Sequence, residues 1–451
     1  MQINDAEQLE QLTYILHNEE NNESTETLIA FLKECHPAEI ADLIESSDPV
    51  DRALIWSNTE IEESGEVLKE LNESVLIQLI DEIDKNRLVE AVTYLDIDDI
   101  ADIIPELPEN NVADVLLAID RETRRSLGKV LSYPEDSAGG LMNIDAVVVR
   151  DDISMEVALR FLRLKEKLPA NTDTLFLVNK ESQLSGILPI HRLITSQPSE
   201  GVKQKIIKDP IIFNVLDESD EVSKNFADYN LVSAPVVDED NKLVGRITID
   251  DVVDVIIEDA EQEAFAKAGL RQEEDIFAPV ASSAKNRALW LGVNLITALI
   301  GSWVIGMFEG SIQQLVALAV LMPIIASMGG NAGTQTLTIV IRGLGNGTIQ
   351  KGNIWRLIKK EALVGSLNGL TWAFAMGIIA AIWFNNPGLG LIIALAMLIN
   401  LIVSALAGVI LPIILEKLDI DPALAGGVAL TTVTDVVGYF SVLGLAAWLL
   451  L

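Results

Sequence analysis

A single cysteine, Cys35, rules out an internal disulfide and fits a reducing, cytosolic setting for the part that carries it. Three histidines, His17, His36 and His191, are scattered without zinc-ligand spacing and read as surface or packing residues. Met1 to Glu10 is polar and acidic, with no basic stretch and no apolar core of a cleaved signal peptide. Bases are scarce as well: 32 Lys and Arg stand against 67 Asp and Glu, a formal charge of −35. Such a surface repels nucleic-acid phosphates and anionic headgroups and attracts cations. No paired catalytic carboxylates, activated nucleophile or phosphate loop stands in a supporting context, so an enzyme is not expected.

The charge is unevenly placed. Residues 1–284 hold 61 acids and 24 bases, whereas residues 285–451 hold 6 acids and 8 bases. The second part is a series of apolar stretches, roughly Ala288–Met307, Ile312–Ile341, Ile354–Phe384, Leu389–Leu415 and Ala423–Leu451, each long enough to span a bilayer. Its bases, Lys285, Arg287, Arg342, Lys351, Arg356, Lys359, Lys360 and Lys417, precede the first span or flank the second and fourth loops. The first and third loops and the C-terminus carry none, which predicts a cytoplasmic N-terminal half and an external C-terminus.

Asp435 lies near the middle of the last stretch, among Thr431, Thr432 and Thr434. A mid-membrane carboxylate costs about 2.5–3.5 kcal/mol on insertion scales and normally faces a bundle interior or a watery path. The segment reads as a cation-attracting pore wall; a structural hydrogen bond between helices is the other reading. In the second span, Pro323 precedes Met328-Gly329-Gly330-Asn331-Ala332-Gly333-Thr334-Gln335. Those residues suit close helix packing, an interruption lining a cavity, or both.

The acidic half contains a repeat. Residues 175–194 and 234–253 match at an offset of 59, with Leu184 on Leu243 and Gly186 on Gly245. Each copy reads as strand, acidic turn, strand and helix, preceded by an apolar run at Val147–Val149 or Ile211–Phe213. The pattern resembles a tandem pair of CBS domains, α/β modules that pair and often bind nucleotides such as ATP. Gly245 to Asp251 is similar to that family's ribose-contacting stretch, with Thr248 and Asp251 in the matching places; the first copy has Pro189 and Arg192 there. Residues 20–133 show apolar residues at helical spacing, among them Ile40, Leu43, Ile44, Leu76, Leu79, Ile80, Val112 and Val115, and read as a stack of short helices. Tyr133 to Met142 follows as a flexible junction.

This order of parts resembles the MgtE family of magnesium transporters. The specific matches are the Glu135-to-Met142 junction, the Gly-Gly-Asn-Ala-Gly-Thr-Gln stretch and Thr431-Thr432-Val433-Thr434-Asp435. The expected fold is a multidomain membrane protein: an acidic all-α domain (1–134), two CBS modules (135–200 and 201–256), a connecting segment (257–284) and a five-helix transmembrane bundle (285–451), with a helix at roughly Asp251 to Gly269 that resembles the family's "plug" helix. The resemblance implies a homodimeric, Mg2+-selective channel lined by spans two and five and closed by cytosolic Mg2+. It places the pore site at Asp435, Asn331 and Thr431. Sensor ligands fall at Glu66, Asp98, Asp102, Asp220, Asp251, Asp254, Asp259, Glu263 and Asp421, with Asn230 and Gln262 departing from expected acids. For any single sensor acid, a solvated surface charge is the competing reading. Mg2+ bridging would relieve repulsion between facing acids and favour a compact, closed state. A CBS-regulated carrier of another divalent cation, Co2+ or Mn2+, and a membrane-anchored nucleotide sensor are the alternatives.

Overall fold

The computed structural model describes residues 23–165, 167–267, 269–270, 275–350, 352–418 and 420–450. The readings of Met1 to Glu10 and His17, and residues 268 and 271–274 of the connecting segment, fall outside that set. The chain forms two compact units, Met1–Ala260 with Asp275–Phe277, and Glu261–Glu274 with Ala278–Leu451.

The first unit begins with short α-helices, from Glu23–Leu32 to Arg121–Val130. His36, Asp84 and Asp120 accept backbone N–H bonds at helix starts, satisfying donors the helix itself cannot. The helical apolar spacing buries Ile40, Leu43, Ile44, Leu76, Leu79, Ile80, Ile100 and Ile103, as expected.

Next come two three-stranded sheets of the same topology. In the first, β1 (Val148–Arg150) pairs parallel with β2 (Thr174–Val178), which pairs antiparallel with β3 (Leu184–Pro189). In the second, β4 (Phe213–Asn214), β5 (Ser233–Val237) and β6 (Leu243–Thr248) repeat the arrangement. The offset of 59 holds for both hairpin strands and for the register irregularity, at Leu177/Val178 and again at Val236/Val237. The copies touch: the Leu184 N–H donates to the Asn241 carbonyl, and buried Arg246 donates to the Ala170 and Asn171 carbonyls.

The reading of residues 133–142 needs correction. The Tyr133–Met142 junction is packed: Ala138 and Met142 are buried, the Ala138 and Gly139 N–H groups donate to the Asp217 and Val215 carbonyls, and Asn143 exchanges backbone bonds with Arg246. Residues 137–143 therefore pair with the second sheet copy, although the boundary at 135 assigned them to the first. The helical domain and the second copy share one core, in which Phe213, Phe226, Val236, Ile247 and Val252 join the helical cluster. The helix entering the connecting segment is Ile249–Lys267, within two residues of the expected Asp251–Gly269 at either end, and it crosses the 256/257 line drawn after the second module.

Arg52 and Asp275 form a buried bidentate pair, at 2.7 and 2.8 Å. The Arg52 guanidinium also donates to the Ile44, Ser47 and Glu45 carbonyls and lies 5.6 Å from the Phe277 ring centroid. Burial pushes the Asp275 carboxyl up, but the bonds from Arg52 and the Phe277 N–H prevail and hold it low. Breaking such a pair costs about 3–5 kcal/mol, because the remaining charge stays buried and unpaired.

Among the described residues, the second unit contains five helices long and apolar enough to cross a membrane: Val280–Gly306, Ala317–Gly345, Ile354–Trp383, Pro387–Lys417 and Pro422–Leu449. They are the five expected spans, each within a few residues except the first, which starts at Val280. The loop expected at 308–311 carries a short helix, Glu309–Gln314. Span two stays helical through Pro323 and its glycines, so that sequence serves packing and not a break.

Candidate functional site

Spans two and five meet at small residues. A side chain at Gly333 would approach Leu430 within 2.8 Å, one at Gly426 would approach Leu337 within 3.1 Å, and Gly330 faces the Thr434 hydroxyl. Asn331 and Asp435, each the next residue, thus stand at the same level of adjacent helices. Asn331, Thr334, Gln335, Thr338 and Thr431 are exposed on the protomer although they lie in apolar spans. Asp435 is half-buried beside Gly301 of span one, and among the described residues it makes no hydrogen bond or ion pair. The threonines do not engage it: Thr431 and Thr432 donate to the Gly427 and Val428 carbonyls, and Thr434 to that of Thr431. The interhelical hydrogen bond considered for Asp435 is thus not made within the protomer.

In the first unit, acids gather where the helical domain meets the start of the Ile249–Lys267 helix. Asp98, on the short helix Ile97–Ile103, is buried, and among the described residues its Oδ1 has no hydrogen-bond partner. Burial first, then the charges of Asp99 and Asp251, push its carboxyl up to about 7. Asp251 is raised to about 6 by burial and by Asp250, although the Thr248 hydroxyl donates to it at 2.8 Å. Asp102 is also raised, by crowding protein and by Asp99, Asp251 and Glu135. Its solvent-open face makes that rise smaller than crowding alone would give. Glu66 and Asp254 are raised by the same causes. Lys69 pairs with Asp99 at 2.9 Å, one cation among many carboxylates.

A second acidic group forms where the Asp259 and Asp220 carboxyls bond to one another. Burial, Asp220 and then Glu258 and Asp136 raise Asp259 to about 6. Asn230, which departs from an expected acid, ends its helix in the left-handed conformation at φ 51°, a position asparagine tolerates. Glu263 and Asp421 belong to the other unit, where Asp421 caps span five through the Ala423 N–H at 2.7 Å. Among the described residues, no three His, Cys, Asp or Glu side chains stand close enough to form a ready metal cage. The nine acids expected as ligands thus divide into two groups in the first unit and two separate positions in the second. The orphaned Asp98 oxygen and the facing carboxylates nevertheless fit a hydrated divalent cation, which binds through its waters.

Thr248 and Asp251, the expected ribose contacts, are bonded to each other at the end of β6 and the start of the next helix. In the first copy, Arg192 instead donates to the Lys205 carbonyl.

Sequence reasoning passed over four groups: Asp99, the Arg52–Asp275 pair, Asn400, and Glu361. Glu361 carried a readable signal, a carboxylate two turns inside an apolar run. It is 3% exposed, accepts from Thr336 at 3.2 Å and pairs with Lys360 at 3.0 Å.

The model of a divalent cation transporter domain, MgtE, matches residues 322–445, and that of the MgtE intracellular N domain matches 35–136. The magnesium transporter MgtE of Bacillus subtilis is 34% identical over 333 residues, 73% of each chain. The chain belongs to the MgtE family. Its Thermus thermophilus relative is 31% identical over 336 residues, 74% of each chain. A CBS domain model matches residues 202–258, the second sheet copy. The cytosolic domain of the Mg2+ channel MgtE, solved in complex with ATP, is 28% identical and covers 55% of this chain and 99% of its own, with a TM-score of 0.49. Family membership and five apolar helices make this a multi-pass membrane protein of a magnesium-transporting family.

Proposed function

We propose that the chain is a homodimeric, Mg2+-selective channel whose path runs along spans two and five and whose acidic first unit senses cytosolic Mg2+. One observation carries the pore: Asp435, unpaired and half-buried in mid-span, stands level with Asn331. Two such carboxylates across a dimer axis attract a hydrated Mg2+, while Asn331 and the backbone near Thr431 meet its waters. Mg2+ surrenders water reluctantly, so a wide, charged site suits it better than a stripping cage. Sensing rests on Glu66, Asp98, Asp102, Asp251 and Asp254, and on Asp220 with Asp259. Glu263 and Asp421 are proposed sensor acids too. Thr248 and Asp251 would hold a nucleotide ribose in the second CBS module once their mutual bond opens. The modules are best bounded with residues 135–143 beside the second copy.

Purified protein in liposomes enclosing a Mg2+ dye is expected to admit Mg2+, and admission should fall as Mg2+ rises on the face carrying the first unit. Preferential uptake of Co2+ or Mn2+ would favour the other-cation carrier, and no cation uptake at all would end the transport reading.

The proposed orientation is cytoplasmic for the first unit and external for the C-terminus. A cysteine at Asn386 should react with an impermeant thiol reagent from outside, and one at Gly352 should not; the opposite labelling would reverse the topology.

A further inference from the structure

Four buried polar side chains lie behind the proposed path. Asn400 and Ser404 of span four are fully buried, and Glu361 of span three and Thr336 of span two are 3% and 5% exposed. The Asn400 amide donates to the Ile325 carbonyl of span two at 2.8 Å, which fixes which end of the amide is nitrogen. Among the described residues, Asn400 Oδ1 and Ser404 Oγ have no hydrogen-bond partner. Both groups fill the notch left by Gly329, where a methyl group would run into the Asn400 amide and come within 3.0 Å of Ser404 Oγ. Asn400 also reaches Gly438 of span five, where an added methyl would lie 3.1 Å from its Nδ2. Further along, Thr336 donates to Glu361, and Gly408 lies against Gly333 and Thr336.

The touched positions of span two, Ile325, Gly329, Gly333 and Thr336, occupy one helical sector at 3.6 residues per turn. Asn331 is two residues from both glycines and so faces the opposite way. The bonds at Ile325 and Thr336 are about 16 Å apart along the axis at 1.5 Å per residue. Two polar anchors that far apart resist rotation and sliding of span two, which apolar packing in lipid restrains poorly because lipid tails are as apolar as the side chains.

We propose that Asn400 is a positioning residue for transport: through the Ile325 carbonyl and the Gly329 notch it fixes the rotation of span two and so aims Asn331 and its neighbours at the ion path. The inference rests on the channel reading above.

The test uses the full-length protein in planar bilayers, reading single-channel current and reversal potential with Mg2+ opposed to Na+. Asn400→Ala is expected to lower the unitary Mg2+ current about tenfold and to move the reversal potential towards Na+, as small misplacements of a binding group do. The cytosolic Mg2+ that half-closes the channel should stay within about twofold, since that coupling belongs to other residues. Both current readings are properties of each open channel, so a smaller number of folded channels does not alter them. Should Asn400→Ala fail to fold, Asn400→Ser, polar but too short to reach Ile325, is expected to show the same shifts. The double variant Gly329→Ala with Asn400→Ala refills the notch without the bond and should remain defective; full recovery would mean that packing volume alone matters and would overturn the proposal. Parent-like current and selectivity in the Asn400 variants would overturn it too while leaving the channel reading intact. A parent without Mg2+ current would remove the channel reading and the positioning role together.

Discussion

Asp435→Asn is expected to abolish selective Mg2+ flux while the protein still folds and inserts. Asparagine keeps the shape and removes the charge. At an effective dielectric near 20, a unit negative charge and Mg2+ about 5 Å apart attract by about 7 kcal/mol. If half of that difference reaches the transport barrier, flux falls by more than about a hundredfold. The loss cannot be a folding effect of the usual kind, because Asp435 makes no hydrogen bond or ion pair among the described residues for the substitution to break. Removing the charge also relieves an insertion cost of about 2.5–3.5 kcal/mol. Dye-loaded liposomes read the flux, and size-exclusion chromatography reads the assembly. Ordinary Mg2+-selective flux in this variant would withdraw the pore assignment.

The second large effect is an exchange between Mg2+ and protons at the acidic cluster. Asp98 and Asp251 rise to about 7 and about 6 where the helical domain meets the CBS pair, so the compact arrangement holds protons that the separated one releases. Below about pH 3 both arrangements are protonated and the cluster carries no penalty. As pH rises the separated carboxylates ionise first, the compact arrangement loses ground, and the penalty is complete above about pH 7. Limited proteolysis of the full-length protein in chelator should therefore show protection at pH 5 and cleavage between the two parts at pH 8. Millimolar Mg2+ at pH 8 should restore protection, and monovalent salt should do so only partly, because screening does not bridge. Asp98→Asn with Asp251→Asn mimics the protonated pair and should stay protected at either pH, with or without Mg2+. Cleavage that ignores both pH and Mg2+ in the parent would mean that these acids are only solvated surface.

Much of the architecture was legible in the residues because its signals are local. Apolar length announced the five spans, the 59-residue offset announced two hairpins alike down to their register irregularity, and helical spacing picked out the buried isoleucines and leucines of the first domain. Asp435 was conspicuous because a charge in a long apolar run is costly whatever the packing. Boundaries read less well. The 133–142 junction has the glycines and polar residues of a flexible linker, yet long-range backbone bonds to Val215, Asp217 and Arg246 hold it. Nor did the order of parts announce that the helical domain and the second CBS copy, which are not consecutive in the chain, share one core.

The sequence by itself determined the family, the number of spans and the residue types on offer, because period, length and charge act along the chain. Which groups meet was decided only in three dimensions. Arg52 and Asp275 are 223 positions apart and Asn400 and Ile325 are 75 apart, and nothing in the spacing of either pair announces the contact. Asp98 became an acid with an orphaned oxygen through burial and neighbours and not through residue type. Desolvation and Coulomb energy depend on distance through space, and the fold alone sets that distance.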